Sequence, residues 1–541
     1  MAKITFSPVG TSVDTERGWT ILDAARKAGV VLESPCNGTG TCGKCRVTLI
    51  VPNGDASVLA CQTLVQEDSV VEVASGWESE SVRVLVTGAS VAKEIDPFVR
   101  KELSADARET FVYAGDRVIA REQGDTTGLL YGAVVDIGTT TLVVTLVNLT
   151  DGREMASTSA LNPQSLHGQD VLSRIKLASR KEGLTLLFRQ FLSETDRMIG
   201  ELSGRSGVSR KNIYEVVYSG NTAMLHLATN TDPSSLGRYP YTPAFRGGDY
   251  LPLPTGEGLG VADCACLYIP PIISGFVGAD ITSGVLATRL HEREGIALLI
   301  DIGTNGEMIL AGRGRLVAAS TAAGPAFEGM NITFGMRAGI GAIESFEIEG
   351  DAGLSMGIIG EGEARGICGS GLLDVVGDLV GHGAIDRNGR LGNIVNGSLP
   401  TALKERLGKK DGKAVFFLSD AVYLSQGDVR QVQLAKGAIR TGIEYLLLHA
   451  RIGPDEVDEV LIAGAFGFHL REKNLLEIGL LPGPFKGKIR FVGNTSKTGG
   501  IAFLLNKRYR DEMKKVVEAV RTIELADYPN FDRNFVNFMR F

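Results

Sequence analysis

Hydrophobic spacing changes character several times along the chain. Lys3 to Pro8 alternates as a short strand, and Thr20 to Ala28 sets Ile21, Leu22, Ala25 and Ala28 on one helical face before Gly29 stops it. Arg46 to Val51 and Ser69 to Val73 are β-branched runs that read as strands, and this first block closes near residue 90. Residues 91 to 131 are mixed and charged, with short strands around Phe111 to Tyr113 and Arg117 to Ala120, and read as a tether with little structure of its own. From Tyr131 an apolar strand runs into Asp136, turns at Gly138 and resumes as a second strand to Val147. The same figure returns from Ala297 to Leu310 around Asp301 and Gly303. Two long stretches carry a helical period: Leu184, Leu187, Phe188, Phe191, Leu192, Met198, Ile199 and Leu202 on one face, and the run from Val429 to Ala450. These changes divide the chain at 1–90, 91–131, 132–296 and 297–541. In the tail, Phe531, Phe535, Phe538 and Phe541 are expected to pack on their own domain.

A chain of 541 residues is too long for one core, so several domains are expected. Hydrophobic residues at 44% and charged residues at 22% describe a soluble globular protein. The net charge of -7 argues against nucleic acid or an anionic membrane as the main partner, since both favour basic surfaces. The opening residues lack a basic region followed by an apolar core, and the longest apolar runs are interrupted by Asp136 or by Pro270 and Pro271. A cytoplasmic location follows as the expectation.

Chemistry first shows in the cysteines. Cys36, Cys42 and Cys45 are spaced C-x5-C-x2-C, and Cys61 follows after fifteen intervening residues. Soft thiolates bind iron and sulfide well, and Gly38, Gly40 and Gly43 let the loop turn left-handed and bring backbone N–H groups to the sulfurs. Zinc is the alternative, but structural zinc usually takes two short C-x2-C knuckles and only one exists here. Cys264, Cys266 and Cys368 lack a fourth partner and read as buried small hydrophobes.

The repeated strand-turn-strand carries a second chemistry. A turn after Asp136 presents backbone N–H groups at Gly138 and the hydroxyls of Thr139 and Thr140 to a phosphate, while the carboxylate suits Mg²⁺. Asp301, Gly303, Thr304 and Asn305 repeat the arrangement 165 residues later, a separation that suits two homologous lobes. A third element, Gly464-Ala465-Phe466-Gly467, follows a strand-like run and suits close passage beneath a nucleoside. Asn162 to Gln164 with Gly168, Asp170 and Arg174, the loop Ala323 to Gly329, and Gly366 to Asp374 stand out without an assigned chemistry.

The cysteine loop resembles that of 2Fe-2S ferredoxins, although the gap before Cys61 is shorter than in plant-type members. The resemblance implies a β-grasp domain holding the cluster on Cys36, Cys42, Cys45 and Cys61. Residues 132 to 541 resemble the superfamily of acetate and sugar kinases, heat-shock chaperones and actin. Val134 to Thr141 and Leu299 to Glu307 stand as phosphate motifs, Leu461 to Gly467 as the adenosine motif, and Tyr218 to Thr222 and Val492 to Thr495 as connecting motifs. That resemblance implies a two-lobed, actin-like (ribonuclease H-like) ATPase, so the fold class is multidomain, α+β then α/β. ATP lies in its cleft, with Mg²⁺ at Asp136 and Asp301 and with Gly138, Thr139, Thr140, Gly303, Thr304, Asn305 and Gly464 to Gly467 around the nucleotide.

The whole layout is similar to the ATP-dependent reductive activators of corrinoid proteins. It implies electron transfer from the cluster to Co(II) to regenerate Co(I) in a methyl-transfer system, with a corrinoid protein and a low-potential electron donor as partners, and a homodimer. A nucleotide-binding redox sensor and an electron-donating dehydratase activator are the alternatives. Two departures stand out: the short region before the first phosphate motif leaves little room for a separate middle domain, and no cysteine follows Cys368.

Overall fold

The computed structural model describes residues 2–16, 18–30, 32, 34, 38–40, 44–50, 55–73, 94–253, 258–351, 353–392, 399–464 and 470–541. At the N-terminus, β1 (Ala2–Ser7) and β2 (Thr11–Thr15) form a hairpin, followed by α1 (Ile21–Lys27), β3 (Arg46–Ile50), β4 (Ala56–Leu59) and β5 (Ser69–Glu72). The sheet order is β2-β1-β5-β3-β4, with β1 and β5 parallel at the centre, which is the β-grasp arrangement. Helix α1 starts because Thr20 and Asp23 form a reciprocal capping box, and it buries Ile21, Leu22, Ala24 and Ala25 against Ile4, Phe6 and Val71. This small core is separate from those of the rest of the chain and contains Cys45 and Cys61.

The stretch expected to be a tether is a folded sheet. β6 (Val99–Leu103), β7 (Glu109–Ala114) and β8 (Arg117–Gln123) pair antiparallel, and Val99 and Val112 are fully buried in the core of the first lobe. Buried Lys101 donates to Glu122 (2.7 Å) and to the Tyr214 hydroxyl (2.9 Å), and Phe98 stacks on Tyr250 with ring centroids 4.0 Å apart. Val99 and Val112 are its fully buried apolar residues among the described ones; β7 and β8 contain the runs Phe111 to Tyr113 and Arg117 to Ala120, while the strand period of β6 is hidden under charge.

The first lobe contains β9 (Tyr131–Ile137), β10 (Thr141–Asn148), β11 (Glu154–Leu161), α2 (Val171–Ala178), α3 (Lys181–Ser206), β12 (Ile213–Gly220), α4 (Thr222–Ala228), β13 (Tyr250–Pro252), β14 (Cys266–Tyr268) and α5 (Ala279–Thr288). Its sheet runs β11-β10-β9-β12-β14-β13. Helix α3 buries Leu184, Leu187, Phe191, Leu192, Met198, Ile199 and Leu202, the face its period predicts, with Phe188 only partly covered.

The second lobe opens with β15 (Ala297–Ile302), β16 (Gly306–Gly312) and β17 (Arg315–Thr321). A three-stranded sheet of β18 (Ala342–Glu349), β19 (Gly353–Ile358) and β20 (Gly366–Ile367) follows, then α6 (Gly369–Gly381) and α7 (Thr401–Lys404). After β21 (Leu407–Lys410), β22 (Lys413–Phe417) and β23 (Tyr423–Ser425) come α8 (Gln426–Ala450), β24 (Glu459–Ala463), α9 (Glu472–Glu477), β25 (Ile489–Gly493), α10 (Thr495–Leu505), α11 (Arg508–Ala519), β26 (Val520–Thr522) and α12 (Phe531–Phe538). The large sheet runs β25-β24-β15-β16-β17-β26. In both large sheets a three-stranded antiparallel meander is extended, beside its first strand, by two parallel strands. The lobes are therefore structural repeats of one another.

A clean cut between residues 296 and 297 does not describe the packing. Ala502, Phe503, Leu504, Leu505, Tyr509 and Met513 from α10 and α11 lie in the core of the first lobe. Helix α10 crosses α5 so closely that a Cβ at Gly499 would stand 2.1 Å from the Ser283 carbonyl oxygen. The tail returns to α8, where Phe531, Phe535 and Phe541 pack on the second core and the Arg440 guanidinium lies 5.5 Å from the Phe538 ring centre.

Candidate functional site

Both phosphate motifs begin at the same place in the repeated sheet. Asp136 is the penultimate residue of β9 and Asp301 the penultimate residue of β15, so each carboxylate leaves its sheet at the meander's first turn. Between the lobes lies a cavity of about 230 Å³ lined by Asp136, Gly138, Thr139, Thr140, Asp301, Gly303, Thr304, Asn305 and Gly464. These are all the sequence-predicted nucleotide residues that fall among the described ones. Ala465, Phe466 and Gly467 lie outside them.

The first loop is fixed from behind. Gly138 N–H donates to the Thr141 carbonyl at 3.0 Å, and a Cβ on Gly138 would sit 2.6 Å from that oxygen. Asn162 donates to the Gly138 carbonyl (2.8 Å), while fully buried Arg174 donates to the carbonyls of Thr139 (2.6 Å) and Gly168 (2.8 Å). The segment from Asn162 to Arg174 is thus the buttress of the first phosphate loop. Burial pulls the Arg174 guanidinium down to about 9, against the neighbouring Asp170 and Glu328 carboxylates that favour its charge. In the second loop, Gly303 N–H donates to the Asn305 carbonyl (3.0 Å) and the Thr304 hydroxyl donates to Glu328 (2.6 Å). Gly464, at φ +126°, allows the end of β24 to approach the Ile302 carbonyl, where a Cβ would stand 2.6 Å away.

The connecting motifs occupy equivalent positions. Asn221 caps α4 after β12 and donates to the Thr139 hydroxyl (3.2 Å); Asn494 caps α10 after β25 and donates to Asp136 (2.7 Å). Ser496 donates to the other Asp136 oxygen at 2.7 Å. Because Asn494 and Ser496 follow a strand of the second sheet while Asp136 ends a strand of the first, Asp136 joins the two lobes directly.

Four further carboxylates line the cavity. Asp280 in the first turn of α5 and Glu344 in β18 carry no reading in the sequence, while Glu307, early in β16, and Glu328, in the loop Ala323 to Gly329, lie in stretches that stand out there without a role of their own. Burial, followed by the charge of Asp136, pushes Asp301 up to about 7; burial followed by Asp301 does the same to Asp280. Glu307 is raised well above the carboxylate range, by burial first and then by Asp280 and Asp301. Burial also raises Asp136, opposed by its bonds from Ser496 and Asn494. The Thr140 hydroxyl is buried in the wall and has no hydrogen-bond partner among the described residues. The arrangement suits a phosphorylated ligand brought in with a divalent cation, since neither an unneutralised polyphosphate nor this many ionised carboxylates is stable alone in such a site. The stretch Gly366 to Asp374 contributes Cys368, Gly369 and Ser370 to the wall, so Cys368 is a buried cleft residue, whereas Cys264 and Cys266 lie half-buried in the first lobe.

In the β-grasp domain, Cys45 and Cys61 are buried thiols beside Leu22, Ala60 and the glycine turn. Cys61 N–H points at the Cys45 sulfur (3.5 Å), and the Gln62 amide bonds both the Cys61 sulfur (3.6 Å) and the Gly38 carbonyl (3.1 Å). Gly38 and Gly40 adopt φ of +88° and +81°. Apolar thiols that receive N–H donors on a left-handed loop fit an iron-sulfur centre. Cys36, Cys42 and Gly43 lie outside the described residues.

A β-grasp domain with a thiol-lined loop, joined to a duplicated lobe pair around a carboxylate-rich cleft, defines a ferredoxin linked to an ASKHA-type domain. Three family profiles match in succession: the 2Fe-2S iron-sulfur cluster binding domain over residues 4–66, the RACo middle region over 131–293, and the C-terminal domain of RACo, the ASKHA domain, over 295–541. The solved structure of a reductive activator for corrinoid, iron-sulfur protein is 30% identical, with a TM-score of 0.75, and the match covers 100% of this chain and 98% of that one. The chain belongs to the RACo family of corrinoid activators. The corrinoid activation enzyme RamQ of Eubacterium limosum is 29% identical over 99% of this chain and 98% of its own length. A [Co(II) methylated amine-specific corrinoid protein] reductase of Methanosarcina barkeri is 26% identical over 72% and 73%. The middle-region match falls on the first lobe itself rather than on the short region before the first phosphate motif.

Proposed function

We propose that this chain reductively activates a corrinoid protein, delivering one electron to Co(II) to return it to Co(I), with ATP bound in the cleft as the energy source. The observation that carries the reading is the union, in one chain, of a thiol-lined β-grasp domain and a cleft whose two halves each offer an Asp-x-Gly-Thr turn. An electron carrier alone needs no nucleotide, and a kinase needs no ferredoxin. A one-electron transfer that lies 59 mV uphill costs about tenfold in equilibrium, or ~1.4 kcal/mol, and must be coupled to a favourable process.

Cys36, Cys42, Cys45 and Cys61 would hold a 2Fe-2S cluster, which supplies one-electron storage when bound and is loaded by an external low-potential donor. Asp136 and Asp301 would hold Mg²⁺ between the lobes, with Asn494 and Ser496 fixing the orientation of Asp136. Thr139, Thr140 and Thr304 offer hydroxyls to the phosphates, while Gly138 and Gly303 let the backbone approach them. Asp280, one oxygen of which accepts from Ile281 N–H (2.8 Å), is positioned to take a proton from the attacking water on its other oxygen. Closure on the nucleotide changes the relation between the lobes and so changes how the corrinoid protein is gripped. We place the activator in the cytoplasm as a homodimer; no helix among the described residues is long and apolar enough to cross a membrane.

The test mixes anaerobic protein, reductant and a Co(II) corrinoid protein and follows the Co(I) absorption band with and without ATP. Growth of the band should require nucleotide and be lost in Asp136→Asn and Asp301→Asn. Equal reduction without ATP would overturn the reading.

A further inference from the structure

Asp136 has more behind it than the two side chains that touch it. Its register partner on the adjacent parallel strand is Ser219, the penultimate residue of β12 as Asp136 is of β9. Paired positions of neighbouring strands send their side chains to one face of the sheet, and here α10 and α5 reach that face. The hydroxyl of Ser496, second residue of α10, meets Ser219 Oγ at 2.9 Å besides its 2.7 Å bond to Asp136. Ser219 Oγ in turn meets Ser283 Oγ of α5 at 2.8 Å and donates to the Ala279 carbonyl at 3.3 Å. All three serines are buried, Ser219 and Ser283 completely. An unbroken run of hydroxyls therefore leads from α5 through β12 to α10 and ends on the carboxylate.

Packing does not call for this run. Alanine at Ser219 and Ser283 would bury the same Cβ with no hydroxyl to satisfy. The spacing of the elements is set by backbone instead: a Cβ at Gly499 would stand 2.1 Å from the Ser283 carbonyl oxygen, and one at Gly500 would stand 2.5 Å from Val134 Cγ1 of β9. With the helices fixed in this way, the hydroxyls settle only where the Ser496 oxygen points. A serine Oγ has three staggered positions, and a contact to Asp136 alone would let Ser496 follow the carboxylate. A second contact, itself held by Ser283 and the Ala279 carbonyl, pins it.

We propose that Ser219 and Ser283 are positioning residues for Asp136: acting through Ser496, they hold its carboxylate in the orientation that receives the divalent cation arriving with the nucleotide. Neither stands in the cavity wall. Ser283 acts through Ser219 and Ser219 through Ser496, so their effects run in series. The inference rests on the assignment of the cleft to nucleotide and its cation.

The test uses the full chain with its cluster oxidised, loaded with a non-hydrolysable ATP analogue and titrated with Mn²⁺, whose spin resonance spectrum reports the bound ion. Ser496→Ala should weaken Mn²⁺ binding about tenfold and broaden the spectrum, with Asn494 still holding the other Asp136 oxygen. Ser219→Ala should weaken it about fivefold and Ser283→Ala about threefold, with the same broadening. Adding Ser219→Ala or Ser283→Ala to Ser496→Ala should change nothing further, because the route to Asp136 is already cut. Losses that multiply in the combined variants mark independent packing defects and overturn the proposal, as does parental Mn²⁺ binding in Ser219→Ala or, if that variant fails to fold, in Ser283→Ala. Absence of any nucleotide-dependent Mn²⁺ signal in the parent overturns the nucleotide reading and the positioning role with it.

Discussion

Asp280 and Asp301 face one another in a cleft that removes both from water, and this proximity has a measurable sign. Each is pushed up to about 7 from an ordinary carboxylate value of 3.8, so each retains its proton well above the pH at which it ionises in the unfolded chain. Between those limits the folded state binds more protons than the unfolded one, and stability without nucleotide therefore falls as pH rises from 3.8 to about 7. A cation-nucleotide complex has to displace the same protons. Its affinity should rise by up to about tenfold per pH unit for each proton displaced until the carboxylates are ionised, then level off. Titration calorimetry of Mg²⁺ with an ATP analogue in two buffers of different ionisation heat measures that release, and Asp280→Asn should reduce it by one proton while lowering ATP turnover. Arg174 gives a second prediction. Lysine there keeps a charge but loses the fork that serves Thr139 and Gly168 together, so two buried carbonyls lose partners. Arg174→Lys should weaken nucleotide binding about tenfold with the cluster's absorption unaffected.

At the scale of elements, the crossing of α5 and α10 is set by a missing side chain. A methyl group at Gly499 would meet the Ser283 carbonyl oxygen and carbon at 2.1 and 2.5 Å, and these are backbone atoms that no rotamer change can move. Gly499→Ala should cost about 1–3 kcal/mol, read as a lowered unfolding temperature, because the helices that join the lobes must separate. This crossing also shows where sequence reading stops. The period of α3 and the paired turns at Asp136 and Asp301 are local, so they are visible along the chain. Asp280 and Glu307 gain their character only by convergence: one begins a helix that otherwise reads as core, and the other is a single charge within an apolar strand. The return of α10 and α11 to the first lobe leaves no local mark either, because an amphipathic helix does not encode which sheet it covers. Strands β7 and β8 are legible at Phe111 to Tyr113 and Arg117 to Ala120, but β6 and the packing of the sheet on the first lobe are not, because its anchors Phe98 and Lys101 pair with residues more than a hundred positions away.

At the scale of the whole molecule the cores are joined unequally. β15 turns Leu299 into the core shared with the first lobe and Leu298, Ile300 and Ile302 into that of the second, so one strand serves both. The β-grasp core, from Ile4 to Val73, shares no residue with either. The exposed Lys44 side chain donates to the Thr333 carbonyl of the second lobe at 3.3 Å, and polar contacts of this kind couple units weakly. Heating should therefore give two transitions: a smaller one from the β-grasp domain, and a larger one in which both lobes unfold together. Removing iron with a chelator should bleach the visible absorption and move the smaller transition down, since bound metal stabilises only the fold that holds it. An ATP analogue with Mg²⁺ should raise the larger one, by about 2.7 kcal/mol of added stability at a concentration a hundred times its dissociation constant. Cys61→Ser separates the two ends of the molecule, because its site lies wholly in the small core. That variant should retain the nucleotide-induced shift of the larger transition and lose reduction of the corrinoid cobalt, whereas Asp301→Asn should do the reverse to the shift while keeping the absorption of the cluster. A variant series in which both properties vanish together from either end would mean that the lobes and the ferredoxin form a single folding unit.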